Sequence, residues 1–199
     1  MGALAVQVIA SIWLYKESTL AERLPVLMGS ITREEFLSGY KLEDGTQIGG
    51  HVEFYKYAKV IDADPTITKV ALFDEVFGYY LDKPYFWATP GHTTELDYAN
   101  IQTADEFVTN LKKLGISHAY VTNKFLKTDP EAEARFDGAM GLQSDGTIGT
   151  TTPLTAEARK SGMADERTKW RVLFAEAVAA KKITLVTAFT PSKFLFKIE

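Results

Sequence analysis

The 199-residue sequence predicts a three-layer α/β fold with about five short strands, mostly parallel, that ends in an antiparallel hairpin. Three observations lead to this prediction. A short apolar run at 68–73 is typical of a strand covered on both faces. A capped amphipathic helix at 103–114 leads straight into a second apolar run at 116–122, as in a βαβ unit. Two further strand patterns, at 183–189 and 193–198, close the chain.

The composition is that of an ordinary folded domain. Hydrophobic residues make up 46% of the chain and charged residues 24%, as in a globular protein. The formal net charge of −4 argues against nucleic acid as a partner, because neutralising phosphates requires an excess of Lys and Arg. There is no cysteine, and the three histidines do not fall in a metal-ligand spacing, so neither a metal site nor a cofactor is predicted.

The chain opens with an apolar segment at 3–15 that carries no charge. As a helix it would rise about 20 Å, short of the roughly 30 Å of a hydrocarbon core, so it does not span a bilayer alone. Aromatic residues followed by Lys16 are typical of a membrane boundary. We predict that 1–16 is a membrane-proximal segment that contacts the membrane or a membrane protein, either as the last part of a transmembrane helix or as a segment that enters the interface. A buried core helix is the alternative. The residues expected to make this contact are Ile9, Ile12, Trp13 and Tyr15.

The elements before the first central strand are predicted from capping and periodicity. Short helices are expected at 18–24 and at 32–38, where Thr32 and Glu35 have the capping-box form. A polar, glycine-rich stretch at 41–50 predicts turns. A helix is then expected over 51–63, where the apolar residues fall on one face.

The central elements follow the pattern of a parallel sheet. After the strand at 68–73, a second strand is expected at 85–87, behind Pro84. The helix at 103–114 is capped by Thr103 and stopped by Gly115. Because this helix precedes the strand at 116–122, we expect the strands that start near 69 and 117 to be parallel.

The C-terminal part is predicted to be irregular at first and regular at its end. We expect an exposed excursion near 126–164, with one short helix at 130–136. A helix with a broad apolar stripe follows over 165–181. The last two strands are joined by a short turn at 190–192, which predicts an antiparallel hairpin. Residues 17–199 are thus expected to form one α/β domain.

Two carboxylates follow the first central strand. Asp74 and Glu75 lie where α/β sheets tend to bind ligands, and such a pair can hold a cation, a sugar hydroxyl or a proton. The structural interpretation is that Asp74 caps the following turn while Glu75 is solvated, and we favour it.

Aromatic residues cluster just beyond these carboxylates. Five of them, between positions 79 and 87, are candidates for a carbohydrate-stacking surface, although alternation predicts that half are core. The loop at 91–95 is a candidate to join that surface, and His118, inside a strand, is expected to be a core histidine. The predicted ligand or partner surface comprises Asp74, Glu75, Tyr79, Tyr80, Trp87 and His92.

No catalytic residue is predicted. The glycine-rich stretches at 138–141 and 145–149 lack the GxGxxG spacing and the Walker lysine, which argues against a nucleotide loop. No serine lies in a GxSxG elbow. The chain therefore offers no recognised hydrolase or nucleotide-binding motif.

The segment at 70–87, with its Gly-Tyr-Tyr-Leu-Asp-Lys-Pro-Tyr run, and the helix that ends Leu-Lys-Lys-Leu-Gly-Ile-Ser-His-Ala-Tyr-Val resemble one family. It is the C-terminal extracytoplasmic domain of bacterial polytopic membrane glycosyltransferases, the dolichyl-phosphate-mannose mannosyltransferase-like group. The resemblance covers most of 15–125 and again 165–199.

The resemblance implies a periplasmic, membrane-associated domain without catalytic activity of its own. In that family catalysis is attributed to acidic residues between early transmembrane helices, which this chain does not contain. The domain would assist acceptor binding or packing, with a glycan or lipid-linked sugar as the implied ligand. A structural accessory subunit docked on a larger membrane protein complex is the alternative, and a soluble flavodoxin-like small-molecule binder is a second one.

Overall fold

The computed structural model describes residues 26–41, 47–48, 53–122, 138–141 and 151–199. The predicted membrane segment at 1–16 and the helices predicted at 18–24 and 130–136 lie outside these ranges. Contacts divide the chain into two units, Met1–Tyr57 and Ala58–Glu199. No helix in the described ranges combines the length and the apolar character that crossing a membrane requires.

The first unit contains a capped helix and a small hairpin. Helix α1 spans Arg33–Ser38, and Thr32 and Glu35 form the predicted capping box, with Thr32 Oγ1 accepting the Glu35 N–H at 3.1 Å. Strands β1 (Tyr40–Lys41) and β2 (Gln47–Ile48) pair antiparallel, where only turns were predicted. Helix α2 (Phe54–Ala63) begins in this unit and ends in the second.

The second unit is built on a five-stranded sheet. Its strands are β3 (Val70–Phe73), β4 (Tyr85–Trp87), β5 (His118–Thr122), β6 (Ile183–Thr190) and β7 (Lys193–Ile198). They lie in the order β4-β3-β5-β7-β6. β3 pairs in parallel with β4 and with β5, whereas β7 is antiparallel to β5 and β6. The predicted parallel centre and antiparallel C-terminal hairpin are confirmed.

Helices accompany this sheet, and the two that were predicted at 103–114 and 165–181 are found. A 3-10 helix (Gly78–Tyr80) lies between β3 and β4. Helix α3 (Ala104–Lys113) starts at the Thr103 capping box and precedes β5. Helices α4 (Ala156–Ala164) and α5 (Glu166–Ala179) follow, and Asp165 caps the second of them.

Helix α4 corrects the prediction of an irregular excursion over 126–164. Its N-cap, Thr155, accepts the Ala158 N–H at 3.2 Å. Arg159 then bonds Glu176 of α5 at 2.6 Å, which joins the two consecutive helices. The sequence pattern does not predict this helix because Gly162, in its interior, lowers the helix propensity by about 1 kcal/mol relative to Ala. Gly162 is the one residue of this helix that is buried.

Side chains are buried on both faces of the sheet. On one face, Ala71 and Phe73 of β3 join a large apolar cluster with Phe107 of α3 and Phe174 of α5. On the other face, Leu72 is fully buried, and the 3-10 helix packs against it. Covered faces on both sides of the sheet are those of a three-layer α/β domain.

The strand order changes direction at β3. The connection from β3 to β4 passes through the 3-10 helix on the Leu72 face, whereas the connection from β4 to β5 passes through α3 on the Phe73 face. Such a reversal opens a crevice at the carboxyl ends of the parallel strands, where α/β proteins bind ligands. A ligand site is therefore expected at the carboxyl end of β3.

Candidate functional site

Asp74, directly after β3, is buried and paired with a cation. Its carboxylate forms an ion pair with the guanidinium of Arg171 on α5, and the side chains are only 8% and 9% exposed. Arg171 also lies over the Trp170 ring, 5.0 Å from its centroid. Burial raises the pKa of Asp74 above its ordinary value, and the attraction of Arg171 only partly opposes this shift.

Glu75 performs the capping role that was predicted for Asp74. Its Oε1 accepts the N–H groups of Val76 and Phe77 at 2.9 and 3.1 Å. Glu75 is 8% exposed, so the prediction that it is solvated was wrong. The two carboxylates differ in this way because Asp74 has a φ of 55°, and its side chain reaches Arg171.

The end of β4 is held against the same carboxylate. The Asp74 N–H donates to Thr89 Oγ1 at 2.6 Å, and this hydroxyl donates to Asp74 Oδ1 at 3.3 Å. One residue earlier, Ala88 accepts the Tyr98 hydroxyl at 2.5 Å. Burial, with a further contribution from the charge of Asp74, raises the pKa of Tyr98 far above its ordinary value, so the phenol remains a donor.

An open cleft of about 660 Å³ lies beside β4. This volume falls within the roughly 300–1,000 Å³ of small-molecule sites. Aromatic residues of the strand form one part of its lining and a polar loop forms the other. The lining residues are Tyr85, Phe86, Trp87, Gly91, His92, Thr93, Thr94 and Glu95.

A tight turn presents the polar loop. Thr89 accepts the N–H of His92 at 3.1 Å across Pro90 and Gly91, and Gly91 has a φ of 88°. A proline followed by a residue with positive φ is the pattern of a type II turn, and glycine is the residue that adopts this φ without strain. The turn leaves the His92 side chain exposed at the cleft.

The aromatic wall is partly exposed. Trp87 is 39% exposed, and its ring lies 5.6 Å from that of Tyr85, edge to face. Behind it, Gly78 fits so tightly that an added Cβ would lie 2.6 Å from the Tyr85 ring. The 3-10 helix thus supports the ring that lines the cleft.

The structure divides the six predicted surface residues. Trp87 and His92 line the cleft together. Glu75 and the Asp74 side chain are buried at the end of β3 and are not among the residues that line the cleft. Tyr79 and Tyr80 pack on each other in the 3-10 helix, with ring centroids 4.4 Å apart. His118 is 2% exposed, which confirms the core histidine.

Sequence reasoning missed Arg171 and Thr89. Arg171 stands in an apolar run of α5, and a charged residue in a buried stripe is almost always paired. That signal predicts a buried partner but does not identify Asp74, which lies 97 residues away. Among the described residues, no group of three or more His, Asp or Glu side chains is placed to hold a metal ion.

Comparisons of this chain with protein-family models, with curated proteins and with solved structures give no significant match. The resemblance to the membrane glycosyltransferases stays a prediction from the sequence.

Proposed function

We propose that this chain is a non-catalytic binding domain that takes a neutral glycan in the cleft beside β4. The observation that carries the proposal is the lining of the cleft, in which the Trp87 and Tyr85 rings lie alongside the polar loop at 91–95. A sugar ring has an apolar face of C–H groups and a rim of hydroxyls. Aromatic rings suit the first, and polar side chains suit the second.

The backbone of β4 supplies further polar groups. Phe86 pairs with Ala71 in the parallel ladder, so the N–H and C=O groups of Tyr85 and Trp87 point away from β3. Because β4 is the last strand at that side of the sheet, these groups face no further strand among the described residues. Sugar hydroxyls both donate and accept hydrogen bonds, so they are suited to pair with these groups.

The charge of the lining favours a neutral ligand. Glu95 is the one carboxylate among the described residues that line the cleft, and no Lys or Arg lines it with Glu95. A phosphate or other anion is best bound by Arg or Lys side chains, and the described part of this lining has neither. Of a lipid-linked sugar, the cleft would therefore take the neutral sugar and not the phosphate.

The proposal is tested by titrating neutral hexasaccharides, namely mannohexaose, cellohexaose and chitohexaose, into the wild type and into Trp87→Ala. Loss of an aromatic anchor is expected to weaken binding at least about tenfold. Tyr79→Ala is the matched control, because Tyr79 is 57% exposed outside the cleft lining. Equal affinities for wild type and Trp87→Ala, or no binding by the wild type, would refute the proposal.

A second candidate is small-molecule binding at the carboxyl end of β3 and β5. The observation that favours it is the Thr122 hydroxyl, which is buried beside the reversal in strand order and has no hydrogen-bond partner in the described ranges. A buried unpaired hydroxyl is uncommon in native proteins. The Asp74 and Arg171 side chains satisfy each other at the same edge, so the cleft remains the stronger candidate.

The cellular setting is proposed from the sequence alone. A periplasmic domain associated with a membrane glycosyltransferase-like protein would use such a cleft to hold an acceptor glycan. The apolar segment at 3–15 would then place the domain beside the membrane.

A further inference from the structure

The buried ion pair at the end of β3 is connected to the cleft through one hydroxyl. Arg171 bonds Asp74, Asp74 exchanges hydrogen bonds with Thr89, and Thr89 is the first residue of the turn that presents His92. Each link is a direct contact. The chain of contacts therefore runs from helix α5 to the polar side of the cleft.

The backbone at Asp74 adopts the left-handed conformation. Its φ of 55° is uncommon for a residue other than glycine, although Asp adopts it more readily than most. This conformation lets the Asp74 N–H donate to Thr89 while the side chain bonds Arg171. Asp74 thus contacts both the loop and α5.

The other end of the loop is fixed nearby. The Tyr98 hydroxyl bonds the Ala88 carbonyl, so the residues before and after the loop are held together. Between them, the Thr93 hydroxyl accepts the Glu95 N–H at 3.0 Å, which adds an internal bond. A loop that is fixed at both ends loses less conformational entropy when a ligand binds.

We propose that Arg171, Asp74 and Thr89 are positioning residues, which hold the turn at 89–92 so that the loop at 91–95 is preorganised against the aromatic wall. Their effect on affinity rests on the proposed glycan function, whereas their effect on the loop does not. None of the three lines the cleft. They act through the backbone of the turn, and the ligand contacts belong to the loop and to β4.

The test replaces the Thr89 hydroxyl and measures amide hydrogen exchange together with hexasaccharide affinity. Thr89→Val removes the hydroxyl and keeps the shape, whereas Thr89→Ser keeps the hydroxyl. With valine, the exchange rates of the His92 and Asp74 amides are expected to rise, while those in β5 stay unchanged. The affinity for the hexasaccharide that the wild type binds most tightly is expected to fall roughly tenfold. With serine, both quantities are expected to stay near the wild-type values.

Two results would overturn the inference. The first is an amide exchange rate at His92 that is the same in Thr89→Val as in the wild type. The second is an exchange rate in β5 that rises by the same factor as that at His92, because this would show only a loss of global stability. If the wild type binds none of the three hexasaccharides, the proposed function fails, and the exchange at His92 decides the inference by itself.

Discussion

Asp74 and Glu75 are adjacent carboxylates with different roles. Asp74 is buried beside Arg171, whereas Glu75 accepts two backbone N–H groups of the following turn. The sequence predicts two acidic residues at a strand end but not which of them turns inward. That choice depends on the φ of 55° at Asp74 and on a guanidinium 97 residues further along the chain, and neither has a local sequence signal.

Arg171→Met tests how much the stability of the fold depends on the positive charge beside Asp74. The variant leaves the Asp74 carboxylate buried and unpaired, and we expect a loss of about 3–5 kcal/mol in the free energy of unfolding at pH 7. The pKa of Asp74 is already raised in the wild type because of burial, and it should rise further without Arg171.

The pH dependence of this loss has a definite sign. A carboxyl whose pKa is raised in the folded chain favours folding most when it is protonated. Its contribution to the free energy of unfolding therefore falls as the pH rises above about 4, which is its pKa in the unfolded chain. The Arg171→Met penalty should therefore be smaller at pH 4 than at pH 7 in urea denaturation. A penalty that is equal at both values would show that Asp74 does not titrate in that range.

The secondary structure elements of the central sheet follow from local chemistry. Capping boxes start α1 and α3, Gly115 follows α3, and Pro84 stands just before β4. Each of these signals lies within a few residues of the boundary that it predicts. Helix α4 was missed because its interior Gly162 lowers the propensity and its exposed face is broad.

Gly78→Ala tests the contact between the 3-10 helix and β4. The new Cβ would meet the Tyr85 ring at 2.6 Å and Leu72 at 2.7 Å, and overpacking of this kind typically costs about 1–3 kcal/mol. Thermal and urea unfolding measure the loss. Gly138→Ala is the control, since its Cβ would have no neighbour within 4 Å; similar stabilities for the two variants would contradict the described packing.

At the scale of the whole molecule, the fold class was predicted and the site was predicted in part. A short apolar run at 68–73 and a helix between two strands indicate the parallel centre. The cleft was predicted only through its members, the aromatic segment at 85–87 and the loop at 91–95. Their meeting depends on the turn at Thr89 and on the edge position of β4, which are tertiary features.

Removal of residues 1–16 tests the predicted membrane contact. We expect the intact chain to sediment with vesicles of phosphatidylethanolamine and phosphatidylglycerol, because the apolar segment would bury its side chains in the interface. The shortened chain should remain in the supernatant and unfold at the same temperature as the intact one. A shortened chain that fails to fold would instead support the buried core helix.

Glycan binding in the cleft is best tested by a map of amide chemical shifts in the ¹⁵N-labelled chain during titration with mannohexaose, cellohexaose and chitohexaose. A glycan in the cleft is expected to shift the amides at 85–87 and 91–95 and to leave those of the 3-10 helix in place. Shifts centred on Asp74 and Thr122 would favour the second site instead. Shifts at that second site, or no shifts with any of the three sugars, would contradict a glycan site in the cleft beside β4.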